Sequence, residues 1–232
     1  MDNPASLGEL IDTRACDHGE QPFLIDVESG RVVEYADLQS KVRAVAAFVA
    51  SRGVEPGQSV AYAMHNGYVC AITILGLLYG GYRAVAVNLV AGRDVIAYVL
   101  SHSEAALVLT QAEHEGLIGE ALRSDVFTRA DRSDKTAGKG LSGVEAGPPL
   151  VLLDEALLDD IMDNGSAGEF AGKPRQASPG NDVDCPVDGQ TDGVLMYTSG
   201  TTGRPKGVVL SHGNLLAGGR NVVLAHGLTS SD

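Results

Sequence analysis

Tryptophan is absent from this chain of 232 residues, and cysteine is scarce. The three cysteines, Cys16, Cys70 and Cys185, form no Cys-x-x-Cys pair, and an odd number cannot form a closed set of disulfides. This argues against a disulfide-stapled secreted domain. The N-terminus also lacks the basic and apolar regions of a secretory signal, and the most apolar stretch, Val69 to Leu78, is too short to cross a bilayer. We therefore expect a cytoplasmic protein without a membrane span.

Basic residues are few: the sequence has 17 Lys and Arg and 30 Asp and Glu, which gives a net charge of −13. A chain of this charge is not expected to bind nucleic acid, because phosphate backbones need a net basic face. It can still hold a small anionic ligand in one local basic pocket. A group of carboxylates lies in the stretch from Asp159 to Asp192, without a convergent set of His or Cys ligands. We therefore expect a solvated acidic segment and no metal site.

Apolar segments of strand and helix character alternate along most of the chain. A capping pair, Ser6 and Glu9, predicts a first helix, and a hairpin and a helix from Ala36 follow it. Three further strand–helix units of the pattern then predict the following elements: strand 60–64, helix 68–79, strand 84–87, helix 94–100, strand 106–109 and a helix near 113–122. Such alternation is typical of an α/β fold, with a mainly parallel sheet flanked by helices.

The regular pattern weakens twice, over 124–148 and over 163–192, where Gly, Ser, Asp and Pro dominate. Both stretches exceed the ~12–15 residues that are usual for an ordered connection, so we expect flexible segments there. Beyond them we predict a strand over 193–197, a strand over 208–210 and a helix capped by Asn214. His212, just before that cap, is interpreted as a structural residue.

The loop between these last two strands has the composition of a phosphate-binding site. It contains four hydroxyls, three glycines and one lysine, which are Thr198, Ser199, Thr201, Thr202, Gly200, Gly203, Gly207 and Lys206. Glycines allow a ligand to approach the backbone closely, hydroxyls donate to oxygens, and lysine supplies a mobile positive charge. The spacing differs from GxxxxGK[ST], since Gly207 follows the lysine. Arg204 and Tyr197 are interpreted as a solvated residue and a packing residue.

The segment from Leu195 to Gly207 closely resembles the phosphate-loop signature of the adenylate-forming superfamily of acyl-CoA synthetases, peptide-synthetase adenylation domains and luciferases. A weaker likeness over Leu77–Asn88 and Tyr98–Ala105 looks more like an acyl-CoA ligase, although Val87 stands where a proline is usual. The resemblance implies that residues 1–232 form an incomplete, AMP-binding N-terminal domain, with its phosphate loop over 198–207. It also implies that Thr198, Ser199, Gly200, Thr201, Thr202, Gly203 and Lys206 bind the distal phosphates of ATP.

The activity implied by this resemblance is the activation of a carboxylic acid as an acyl-adenylate, with transfer of the acyl group to a thiol. The implied cofactors are ATP, Mg²⁺ and CoA, the implied setting is fatty acid metabolism, and a carrier protein is an alternative acceptor. The family's adenine-binding residues, hinge and catalytic lysine all follow the phosphate loop at some distance, so catalytic residues are not assigned. The alternatives are a non-catalytic nucleotide-binding fragment and part of a peptide-synthetase adenylation domain.

Overall fold

The computed structural model describes residues 4–27, 29–127, 147–164, 187–198 and 205–229. The helices are α1 (Leu7–His18), α2 (Tyr35–Ser51), α3 (Tyr68–Tyr79), α4 (Arg93–His102), α5 (Glu115–Leu122), α6 (Glu155–Asn164) and α7 (His212–His226), with a 3-10 turn over Ala112–His114. The strands are β1 (Pro22–Ile25), β2 (Val32–Glu34), β3 (Ser59–Ala63), β4 (Arg83–Ala86), β5 (Ala105–Thr110), β6 (Leu150–Leu152), β7 (Asp192–Thr198) and β8 (Lys206–Ser211). Among these residues, no helix combines the length and the apolar composition needed to cross a membrane.

Six strands form the central sheet in the order β6-β5-β3-β4-β7-β8, and β1 and β2 form a separate antiparallel hairpin. The five strands from β6 to β7 are mutually parallel, and β8 alone runs antiparallel to its neighbour. The predicted α/β class with a mainly parallel sheet is therefore confirmed. Because parallel strands end at the same edge, the segments that follow β3, β5 and β7 share the carboxyl edge of the sheet.

Helices cover both faces of the sheet, and the side chains alternate between the faces along each strand. Val60, Ala84 and Val194 point toward α2 and α3, and they belong to a core that also contains Leu38, Val42, Val45, Ile72 and Leu77. Ala61, Val85 and Leu195 point the other way, toward the apolar faces of α4 and α5. A strand buried on both faces is apolar at consecutive positions, which explains the short apolar runs in the sequence.

Helix α3 is apolar almost all round because it lies between α2 and the sheet. It approaches α2 closely at Gly76, where an added Cβ would lie 2.6 Å from Cβ of Val45. Glycine therefore allows the two helix backbones to approach each other. Asp12 connects α1 to the same layer, since its carboxylate accepts hydrogen bonds from Arg43 and from the Tyr79 hydroxyl, both at 3.0 Å.

The helices and strands predicted from the sequence are present, with boundaries shifted by a few residues. The Ser6 side chain caps α1 by accepting from the Glu9 N–H. The predicted cap at Asn214 is wrong, because Ser211 is the N-cap and Asn214 is the third residue of a capping box. Strand β6 and helix α6 had no counterpart among the predicted elements. The two segments predicted to be flexible, 124–148 and 163–192, lie mostly outside the described residues, which omit 128–146 and 165–186.

Candidate functional site

The candidate phosphate loop connects β7 to β8 at the carboxyl edge of the sheet. Strand β7 is parallel to β4, with Val194 opposite Ala84, and it then pairs with β8 in an antiparallel hairpin. The loop therefore leaves the sheet where the parallel strands end, which is the usual ligand-binding edge of open α/β sheets. This position follows from the strand order alone.

Two of the predicted phosphate-binding residues stand at the base of this hairpin. Thr198 is the last residue of β7, Lys206 is the first of β8, and the two are directly opposite each other in the strand register. Their side chains therefore project from the same face of the hairpin, and both residues are exposed. The other five, Ser199, Gly200, Thr201, Thr202 and Gly203, lie outside the described residues, as does Arg204.

Lys206 differs from most cations of the described chain in having no partner. Ion pairs hold five of the others, namely Arg31, Lys41, Arg43, Arg83 and Arg93. Within the described ranges, Lys206 makes neither an ion pair nor a side-chain hydrogen bond, although the net charge of the chain is −13. A cation without an ion pair in the described part of the chain is available to an external anion.

Tyr197, the residue before Thr198, is fixed by a contact that the sequence does not indicate. Its hydroxyl is hydrogen-bonded to Nδ1 of His102 at 2.9 Å, and His102 ends helix α4. Burial, with a smaller contribution from Tyr98, raises the pKa of the Tyr197 phenol to about 12, so the phenol is neutral at physiological pH. The pair anchors the end of β7 to α4, directly beside the candidate loop.

Gly207 packs beneath the same tyrosine. A Cβ at this position would lie 3.4 Å from Cε1 of Tyr197 and 3.1 Å from Cδ1 of Leu195. The last glycine of the motif therefore has a packing function, since the Tyr197 ring lies over the bare backbone of β8. Tyr197 was correctly placed at a strand end, whereas His102 was missed because its contact depends on how α4 packs against β7.

His212 connects the C-terminal side of the hairpin to the first helix. Its side chain is fully buried, its backbone N–H donates to the Thr191 carbonyl, and its Nδ1 accepts from the Leu7 N–H at 3.2 Å. Burial lowers the pKa of His212, and the attraction of Asp188 only partly opposes this shift. A neutral imidazole that accepts from a helix N-terminus is a structural element, as the sequence interpretation held.

Comparisons with known proteins agree with this geometry. The sequence model of the family described as AMP-binding enzyme matches residues 11–232. A sulfoacetate–CoA ligase from Cupriavidus necator is 31% identical over 227 residues, which cover 98% of this chain and 39% of that protein. An oxalate–CoA ligase from Arabidopsis thaliana is 30% identical over 191 residues, which cover 82% of this chain and 32% of that protein.

The fold also matches a solved structure. A long-chain-fatty-acid–CoA ligase from Archaeoglobus fulgidus superposes with a TM-score of 0.72 at 20% identity, covering 99% of this chain and 41% of that one. At this level of identity the match supports the fold. The chain thus spans about two fifths or less of the length of these proteins. Because the family model extends over nearly the whole sequence, this chain is a member of the AMP-binding enzyme family.

Proposed function

We propose that this chain carries the ATP phosphate-binding part of a ligase that activates a carboxylic acid for transfer to a thiol such as CoA. In the first step, a carboxylate oxygen attacks the α-phosphorus of ATP, which forms an acyl-adenylate and releases pyrophosphate. In the second step, the thiol attacks the acyl carbon and releases AMP. The family match and the names of the two CoA-ligase relatives support this reaction class.

The observation that carries the proposal is Lys206, which has no ion pair among the described residues and lies opposite Thr198 at the base of a loop rich in glycine and hydroxyl groups. An ammonium group and a hydroxyl on one face of a hairpin both donate to phosphate oxygens. The Tyr197–His102 hydrogen bond and the close packing at Gly207 hold the end of β7 in position. Donors on a fixed scaffold bind an anion without a large ordering cost.

The donors of the phosphate loop bind pyrophosphate, which is the leaving group of the first step. Negative charge grows on pyrophosphate as the bond to the α-phosphorus breaks, so donors at the β- and γ-phosphates stabilise the transition state. Mg²⁺ neutralises phosphate oxygens when it is bound, and it commonly keeps waters and substrate phosphates as ligands. We therefore assign Lys206 and Thr198, with Ser199, Gly200, Thr201, Thr202 and Gly203, to phosphate binding. No residue of this chain is assigned to hold the metal directly.

Titration calorimetry with inorganic pyrophosphate, ATP and AMP tests the phosphate assignment on this chain. Pyrophosphate carries the relevant phosphates without adenosine, so its binding does not require the adenine-binding residues. We expect Lys206→Met to weaken binding of pyrophosphate and ATP by about 1.5–3 kcal/mol, the usual value for a hydrogen bond to a charged group. Binding of AMP, which lacks the distal phosphates, should be nearly unchanged.

The matched control is Arg14→Met, because it removes the same charge from an exposed position on α1. Equal losses in Lys206→Met and Arg14→Met would show that only net charge matters, and equal losses for ATP and AMP would refute the distal-phosphate assignment. ATP–pyrophosphate exchange then tests the reaction itself. Exchange in the presence of a carboxylic acid supports adenylation, whereas pyrophosphate binding without exchange supports the non-catalytic alternative for this chain.

A further inference from the structure

A second group of chemically active side chains lies at the carboxyl edge of the sheet, two strands away from the phosphate loop. His65 follows β3, while Glu113 and His114 lie in the 3-10 turn that follows β5. Strands β3 and β5 are parallel neighbours, with Ala63 opposite Thr110, so their ends bring the three residues together. In the described part of the chain, this is the one group of three His, Cys, Asp or Glu residues with all ligand atoms within 4.8 Å of one another.

The backbone beneath this group is fixed by hydrogen bonds between the two strand ends. The Thr110 hydroxyl donates to the Ala63 carbonyl at 2.8 Å, and the His65 N–H donates to Oε1 of Gln111 at 3.0 Å. The His114 N–H donates to the Gln111 carbonyl, which closes the 3-10 turn. Three potential ligands are thus held by neighbouring elements whose relative position is set by the sheet.

Two of the three distances within the cluster match those between the ligands of one metal ion. Oε1 of Glu113 lies 3.3 Å from Nε2 of His65 and 3.3 Å from Nε2 of His114. Ligands at ~2.0–2.1 Å from a tetrahedral ion are about 3.3 Å apart, which is the edge of such a tetrahedron. The two imidazole nitrogens lie within 4.8 Å of each other, so the carboxylate is already at ligand spacing from each imidazole.

The surroundings of the His114 imidazole also favour a bound metal ion. Its Nε2 atom is shielded from solvent and has no hydrogen-bond partner among the described residues, although Glu113 is near. A buried imidazole nitrogen without a partner is costly, because it has lost its hydrogen bonds to water. By contrast, 67% of the His65 side chain and 58% of the Glu113 side chain are exposed, so an ion has access to the group from solvent.

We propose that His65, Glu113 and His114 form a binding site for a divalent transition-metal ion of the zinc class, with a fourth position open to water. Two imidazoles and one carboxylate suit Zn²⁺, Co²⁺ or Ni²⁺, whereas Mg²⁺ prefers oxygen ligands. The site joins the ends of two strands that are far apart in sequence. A bound ion therefore stabilises the folded chain, since the ligands are not assembled in the unfolded chain.

Titration calorimetry of the metal-free chain with ZnCl₂ tests the proposal. We expect one ion per chain, a higher melting temperature with Zn²⁺ than without it, and neither effect with MgCl₂ at the same concentration. Co²⁺ in place of Zn²⁺ should give the visible absorption of a low-coordinate site. His114→Ala and His65→Ala should each weaken Zn²⁺ binding by at least about tenfold, because each removes one of three ligands.

The matched control is His226→Ala, which removes an exposed histidine at the end of α7 and should leave the affinity unchanged. Circular dichroism shows whether each variant is folded. If His114→Ala does not fold, the Zn²⁺ affinity of His65→Ala tests the proposal, because the largely exposed His65 side chain can be removed with little effect on folding. The absence of one-to-one Zn²⁺ binding would overturn the proposal. So would equal affinities in His65→Ala and His226→Ala, which would indicate that the ion binds scattered surface groups.

Discussion

The buried His212 predicts a specific loss of stability in mild acid. Its imidazole accepts from the Leu7 N–H through Nδ1, so the neutral ring carries its proton on Nε2, which is buried without a partner in the described structure. Protonation would place a second proton on Nδ1 and convert this acceptor into a donor facing the Leu7 N–H. The folded state therefore resists protonation, which agrees with the lowered pKa that burial gives this side chain.

The sign of the pH effect follows from proton linkage. Below the ordinary histidine pKa of 6.5, the unfolded chain takes up a proton that folded His212 does not. Stability is then lost as the pH falls, by at most about 1.4 kcal/mol per pH unit, until the lowered pKa of the folded state is reached. The attraction of Asp188 persists through this range, because hydrogen bonds led by that from the Gln190 N–H lower the pKa of its carboxyl.

Two substitutions separate the hydrogen bond from the titration. His212→Phe keeps an aromatic ring but removes the acceptor, so the Leu7 N–H loses its partner at a cost of about 1–3 kcal/mol. His212→Asn places a carbonyl oxygen near the position of Nδ1 and should lose less from this hydrogen bond, although it fills less space. Neither variant has a group that titrates at position 212.

Urea denaturation followed by circular dichroism at pH 7.5, 6.5 and 5.5 measures these effects. The stability difference between the original chain and each variant should shrink as the pH falls, because only the original chain has the histidine proton to exclude. This difference in unfolding free energy cancels the pH-dependent contributions of the titratable groups that both proteins share. Differences that stay constant from pH 7.5 to 5.5 would show that His212 is not held neutral by the fold.

Two further predictions concern packing at the helix interface and at the base of the loop. Gly76→Ala should destabilise the chain by about 1–3 kcal/mol, because the new Cβ meets Val45 at 2.6 Å, whereas Gly218→Ala in the open middle of α7 should stabilise it by up to about 1 kcal/mol. Urea denaturation of both variants checks this, and equal effects would contradict the interpretation of Gly76. Tyr197→Phe should cost about 0.5–1.5 kcal/mol through loss of its hydrogen bond, and a double-mutant cycle with His102→Ala should show coupling between the two residues.

The alternation of strands and helices could be predicted from the sequence because each element has its own local signal. Helix α2 is an example: its predicted apolar face, Leu38, Val42, Val45, Phe48 and Val49, is the face that is buried. The Asn214 cap was misplaced for an equally local reason. Ser211 and Asn214 are both good capping residues, and only the backbone shows that α7 begins at His212, so that Ser211 takes the cap position.

Contacts between distant elements had no comparable signal. The Tyr197–His102 hydrogen bond joins residues 95 positions apart, and the contact of His212 with Leu7 spans 205 positions. Both depend on how helices pack against the sheet and against one another, which alternation along the sequence does not specify. The phosphate loop could be predicted without such contacts, because a contiguous motif carries its own chemistry, and its ligand stays a prediction. The cluster of His65, Glu113 and His114 can be identified only when β3 is known to pair with β5, and the sequence does not indicate that pairing.

The two proposed sites share the carboxyl edge of the sheet but are separated along it. Strand β7 is two positions from β3 and three from β5 in the sheet, so Thr198 at the end of β7 lies roughly 10–14 Å from the histidine cluster at ~4.8 Å per strand. An ion bound by His65 and His114 through bonds of ~2 Å is therefore too far away to bridge the phosphates near Lys206. It follows that Lys206→Met should leave Zn²⁺ binding intact, and that His114→Ala should leave pyrophosphate binding intact. Loss of both ligands in either variant would mean that the carboxyl edge forms one site rather than two.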